Sequence, residues 1–183
     1  GTLVDSPVGG VGYRSDSVPS GTTNENGEFS YFRGEIITFH IGEFEFPGVP
    51  ASSTITPLDI FKTDNAFHPA VVNSLRLMQS LDVDGDPTNG ISVSANAANA
   101  ATMMLAEGQT SEDFFNRPTD EFAADIEVWL GAAGGAHSTL IPFDQALNHF
   151  VDHLENEYGT LLTNAFDLNL FSGTLYYPRL QGS

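Results

Sequence analysis

Between residues 2 and 50 apolar and polar positions alternate in short runs, and glycine or proline separates one run from the next. That pattern predicts strands at 2–4, 8–13, 28–31, 36–41 and 43–46, the last in strict alternation as Glu43-Phe44-Glu45-Phe46. Asn26-Gly27 reads as a two-residue hairpin turn, because both residues tolerate positive φ, and Arg33-Gly34-Glu35 reads as a second turn. Pro47-Gly48-Val49-Pro50 ends the β region. Beyond Pro57 the apolar spacing changes to steps of three and four. Pro69 stands where the first turn of a helix accepts it, and Val72, Leu75, Met78, Gln79 and Leu81 follow as a stripe. Further helices are expected at 94–106, ended by Gly108, at 111–116, and at 119–130, broken by Gly131, Gly134 and Gly135. The last helix, 143–158, is the most amphipathic: Phe143, Leu147, Phe150, Val151, Leu154 and Tyr158 share a face, and Gly159 stops it. Residues 168–177 read as strand again, and no internal repeat is present.

The expected fold is therefore α+β, a small N-terminal β-sandwich with a packed helical subdomain. Residues 1–58 form the sandwich-like part, 59–163 the helical subdomain with a calcium-type loop, and 164–183 a returning strand or the start of another domain. At 183 residues with 40% hydrophobic content the chain can build a real core. Against 24 acids it has only 6 bases, Lys62 being the only lysine, for a formal charge of −18. Such a surface repels nucleic acid and anionic lipid, so neither is expected as a partner. The absence of cysteine excludes disulfides, thiolate catalysis and cysteine-ligated metals. The uncharged stretch 91–106 is too rich in Ser, Asn and Ala to span a bilayer. The chain opens on a strand-like segment with no signal peptide, as a mature or excised piece would.

One loop carries a strong chemical signal. In Asp82-Val83-Asp84-Gly85-Asp86 three carboxylates alternate within five residues, between two helical segments. A curled loop turns such carboxylates inward, and hard oxygen donors at this density suit Ca²⁺. The expected ligands are Asp82, Asp84 and Asp86, completed by Asn89 and by backbone carbonyls near Thr88 or Ile91. This is not an EF-hand, because Gly85 falls at the fourth position of the loop and Val93 stands where the bidentate glutamate belongs. The plain alternative is an ion-free surface turn.

Other candidates are weaker. His149 and His153 stand one helical turn apart with Glu157 one turn further, but they flank the apolar stripe, and Phe150 replaces the glutamate of zinc peptidases. Packed boundary histidines are the expected role. Gly135-Ala136-His137-Ser138 sets a histidine beside a serine with no orienting acid evident in the sequence, and no G-x-S-x-G elbow occurs. Trp129, Tyr13, Tyr31, Tyr176 and Tyr177 are candidates for an aromatic binding platform, but a lone Trp in a helix beside Val128 and Leu130 is more often core.

Val4-Asp5-Ser6-Pro7-Val8-Gly9-Gly10-Val11 and Thr22-Thr23-Asn24-Glu25-Asn26-Gly27-Glu28-Phe29 resemble the carboxypeptidase regulatory-like (transthyretin-like) β-sandwiches. The resemblance covers the first quarter to third of the chain, and residues 33–42 are unusual for that family. It implies a structural or binding spacer in an exported protein. With the acidic loop and the run Ala146-Leu147-Asn148-His149-Phe150, the whole of 1–160 resembles modules of surface lipoproteins and large adhesins of marine and other Gram-negative bacteria. The expected function is a non-enzymatic, calcium-stabilised binding or adhesion module, exported or at the cell surface, with a glycan or peptide as partner. The alternatives are an accessory or catalytic domain of a secreted hydrolase, using His137 and His149, and a purely structural spacer.

Overall fold

Short strands come first in the fold and helices follow, an α+β arrangement in which the helices fill the space the small sheets leave open. The computed structural model describes residues 1–101 and 109–158. The expected end of the helix at 94–106, the strand at 168–177 with Tyr176 and Tyr177, and the segment 164–183 lie outside the described residues.

The main sheet is antiparallel in the order β4 (Gly21–Thr22), β3 (Gly12–Arg14), β5 (Ile36–Ile41), β6 (Phe44–Glu45), and β7 (Val49–Pro50) pairs the first part of β5. In β5 the alternation read from the sequence becomes burial: Ile37, Phe39 and Ile41 are fully covered while Ile36 faces solvent. Two parallel pairs stand beside this sheet. β1 (Thr2–Leu3) runs with β8 (Thr54–Ile55), and β2 (Val8–Gly9) runs with β9 (Ile91–Ser92).

Residues 28–31 alternate in burial as expected but do not form a hairpin with the preceding strand. Their backbone turns to the start of the chain instead, with Phe29 N–H donating to the Gly1 carbonyl and a single antiparallel bridge joining Glu28 to Thr2. The turn before them is built by Asn24 more than by Asn26. The Asn24 side-chain oxygen accepts from the N–H groups of Asn26 and Glu28, and Gly27 supplies the positive φ of +71°.

The helices are α1 (Pro57–Ile60), α2 (Pro69–Ser80), α3 (Ala95–Ala100), α4 (Ser111–Phe115), α5 (Thr119–Ala133) and α6 (Phe143–Tyr158). Helix α5 runs through Gly131, where the sequence predicts a break, and ends at Gly134 in the left-handed conformation. An interior glycine costs a helix only about 1 kcal/mol, and Ala133 beyond it is buried. Helix α2 is not merely amphipathic. Ala70, Leu77 and Met78 join the core under the sheet, Val71 and Leu75 join a second core against α6, and even Asn73, Ser74, Gln79 and Ser80 are buried. Each of these polar side chains makes a hydrogen bond, Asn73 to the Phe115 and Arg117 carbonyls, Ser74 to the Val71 carbonyl, Gln79 to Asp5, and Ser80 from the Ile141 N–H.

Trp129 is a core residue. It is 1% exposed, its ring lies 5.5 Å from that of Phe44, and its indole N–H donates to the Ala97 carbonyl at 2.8 Å. Tyr13 is also buried, so neither side chain supplies a free aromatic platform. One core cluster holds Ile37 and Phe39 of the sheet together with Leu77, Phe115, Phe122 and Trp129 of the helices. The change from strand to helix near residue 58 is thus a change of element within a shared interior.

Candidate functional site

The acidic loop begins where α2 ends, at Leu81. It is closed by its own backbone: Val83 N–H donates to the Ser92 carbonyl, Asp82 bridges Val93, and Ser92 N–H donates to Asp82 Oδ1 at 2.8 Å. Beyond the loop, Ile91 and Val93 N–H groups donate to the Pro7 and Gly9 carbonyls, which welds it to β2. Gly10 makes this approach feasible, since with φ +82° any Cβ there would lie 2.0 Å from the Val93 carbonyl oxygen.

Inside the loop the three carboxylates have different surroundings. Asp82 is 1% exposed, and its Oδ2 is buried with no hydrogen-bond partner. Burial raises its pKa, helped by the adjacent Asp84 carboxylate, which lies within hydrogen-bonding reach. Asp84 is exposed and held below its usual range, chiefly by the Asp86 N–H and then by the Asn89 amide, which donates at 3.0 Å. Asp86 caps the following 3₁₀ turn, Pro87–Asn89, by accepting from the Thr88 N–H and hydroxyl.

The structure therefore brings Asp82, Asp84 and Asn89 together, and it employs Asp86 and Thr88 on each other. The Ile91 side chain is buried in the core and its N–H is committed to Pro7. Among the described residues no three acidic or histidine side chains form a ready-made metal cage.

Two histidines border this loop, from different elements. The α5–α6 connection lies across it: a Cβ built on Gly85 would be 3.0 Å from His137 Nε2, and one on Gly135 would be 3.4 Å from the Asp82 carbonyl oxygen. On α6, His149 Nε2 is 2.8 Å from Ser6 Oγ, and Ser6 donates its hydroxyl proton to the Pro87 carbonyl at 2.7 Å. With that proton committed, His149 Nε2 is the donor to Ser6. Burial first, and the neighbouring His153 second, lower the His149 pKa, and burial lowers that of His153. The two rings stack at 6.4 Å. His149 thus ties α6 to the loop and to the turn after β1, and Ser6, itself 1% exposed, is closed to substrate. Among the described residues no hydrogen bond joins His137 to Ser138.

Sequence reasoning passed over Asp5, Ser6 and Gln79. The Gln79 amide nitrogen donates to both Asp5 oxygens, at 2.9 and 3.0 Å, and to the Ala146 carbonyl at 3.0 Å. The available signal was Gln79 lying within the apolar stripe of α2, which marks a buried polar residue in need of a partner.

Comparison with models of known protein families, with characterised proteins and with solved structures finds no match to this chain. The N-terminal likeness to transthyretin-like domains accordingly rests on its turn residues alone.

Proposed function

We propose that this chain is a non-enzymatic, calcium-stabilised binding module of an exported or surface-attached protein, with a peptide or glycan as its partner. The observation that supports this reading is the Asp82 carboxylate, buried with one oxygen unpartnered beside the carboxylate of Asp84. Two carboxylates in such contact are relieved only by a proton or a cation. Hard oxygen donors favour Ca²⁺, with Asp82 and Asp84 holding it and the Asn89 side chain alongside.

The consequence of binding would be mechanical. The loop is stitched to β2, to the end of α2 and, through Ser6 and His149, to α6, so an ion there fastens three parts of the fold at once. The contact of His149 with the buried Ser6 speaks for a latch and against a hydrolytic dyad.

The test is thermal melting of the intact chain in EDTA and then in CaCl₂ or MgCl₂. A ligand at a hundred times its Kd stabilises by about 2.7 kcal/mol, roughly 5–10 °C in Tm for a domain of this size. A rise of that order with Ca²⁺, smaller with Mg²⁺, is expected; superimposable curves in EDTA and Ca²⁺ would refute the proposal.

A further inference from the structure

We propose that Asn89–Gly90 is a site of spontaneous deamidation, and that the carboxylate it creates strengthens the acidic loop's hold on a cation. The covalent half rests on local geometry, and the second half rests on the calcium reading above. Asparagine before glycine is prone to this reaction because no side chain on the glycine hinders its backbone nitrogen. That nitrogen gives up its proton and attacks the Asn89 side-chain carbonyl carbon, the Cγ–Nδ2 bond breaks, and ammonia leaves with the proton. Water then adds to either carbonyl of the five-membered imide, and the ring C–N bond opens. One water is consumed, one ammonia is released, and position 89 carries a carboxylate as an aspartyl or isoaspartyl residue.

The chain has two Asn-Gly pairs, both with exposed asparagines, and the fold treats them differently. Gly27 is buried, its N–H is committed to the Asn24 carbonyl at 2.8 Å, and a Cβ there would lie 2.6 Å from the Leu3 carbonyl oxygen. The Asn24 side chain clamps the same turn by accepting from the N–H groups of Asn26 and Glu28. Attack by the Gly27 nitrogen therefore requires the turn to open first. Around Asn89 the restraints are slight. The 3₁₀ turn 87–89 has no buried residue, its closing bond from Gly90 N–H to the Pro87 carbonyl is 3.3 Å long, and a Cβ on Gly90 would meet only the Pro7 carbonyl oxygen, at 3.5 Å. The Asn89 amide bond to Asp84 lies at the surface and engages the leaving nitrogen, so the carbonyl carbon stays open to attack.

The product changes the loop's electrostatics. In the native chain Asn89 Nδ2 donates to Asp84 Oδ2 at 3.0 Å. Deamidation replaces that donor by an anionic oxygen, so Asp84 loses a partner and gains a like charge, beside the buried and unpartnered Asp82 Oδ2. Without a cation the three carboxylates repel one another. With one they form a more highly charged ligand set, and calcium affinity rises with ligand charge.

The experiment follows the mass change of deamidation by peptide mapping of the intact chain in mildly alkaline buffer, folded and in guanidinium chloride. In denaturant positions 26 and 89 should react at similar rates; in the native chain Asn26 should be at least about tenfold slower than Asn89. A native chain that leaves Asn89 unmodified, or modifies Asn26 as fast, would overturn the covalent half. Asn89→Asp stands in for the aspartyl product. It should melt below the parent in EDTA and reach half of its calcium-induced rise in Tm at about tenfold lower Ca²⁺. An unchanged half-point would overturn the ligand half. No calcium response in either chain would sink that half together with the cation reading, and the mass measurement would still decide the covalent half separately.

Discussion

Exchanging Asp82 for asparagine separates the two roles of its carboxyl group. The side-chain oxygen that accepts the Ser92 N–H is kept, and the buried charge beside Asp84 is removed. Without an ion the charge is a burden, so Asp82→Asn should match or slightly exceed the parent in EDTA, the difference staying within about 1 kcal/mol. In Ca²⁺ the variant should show no upward shift in Tm. A full calcium response in Asp82→Asn, read by the same melting curves, would remove Asp82 from the site. The sequence made this aspartate visible through its spacing with Asp84 and Asp86. It could not separate the three, because burial of Asp82 and the use of Asp86 as a cap depend on how the loop meets β2 and the 3₁₀ turn.

At the scale of elements, the turn between β5 and β6 packs closely on a helix. Gly42 has φ +59°, and a Cβ there would sit 1.9 Å from the Ala98 carbonyl oxygen of α3. Gly42→Ala should therefore destabilise through both conformation and collision, by about 2–4 kcal/mol, as measured by urea unfolding. A loss under 0.5 kcal/mol would show that α3 yields easily. The same helix is held from its other neighbour by Trp129, whose indole N–H reaches the Ala97 carbonyl. Most elements were legible from periodicity: Pro69 opens α2, Ser94 caps α3, and α6 has the predicted limits. The partners of residues 28–31 and the run of α5 past Gly131 were not, since they rest on contacts far away in the chain.

For the molecule as a whole, pH acts in opposite senses through the buried Asp5 and the partly buried His149 and His153. Burial raises the Asp5 pKa well above its usual value, against the Gln79 hydrogen bond, so between the two values the native state holds a proton that the unfolded chain gives up. The stability this contributes is complete below the ordinary aspartate pKa of about 3.9 and is lost as pH rises through the raised value. His149 and His153, lowered by burial, act the other way: unfolding gains protons as pH falls below about 6.5, so acid costs stability there. Asp5→Asn removes the first effect, and its stability relative to the parent should therefore increase from pH 5 to pH 8. Urea unfolding at both values measures this, and a difference independent of pH would show that Asp5 is not held protonated.

The sequence by itself determined the α+β class, the order and kind of most elements, the acidic surface and the position of the charged loop, because these follow from local periodicity, turn chemistry and composition. Only the tertiary structure decided that α2 is buried on nearly every side, that β9 pairs with β2, that His137 and His149 flank the loop from separate elements, and that Asp82 alone of the three aspartates is withdrawn from water. Such facts depend on which distant segments share an interior, and the spacing of residues along one segment does not carry that information.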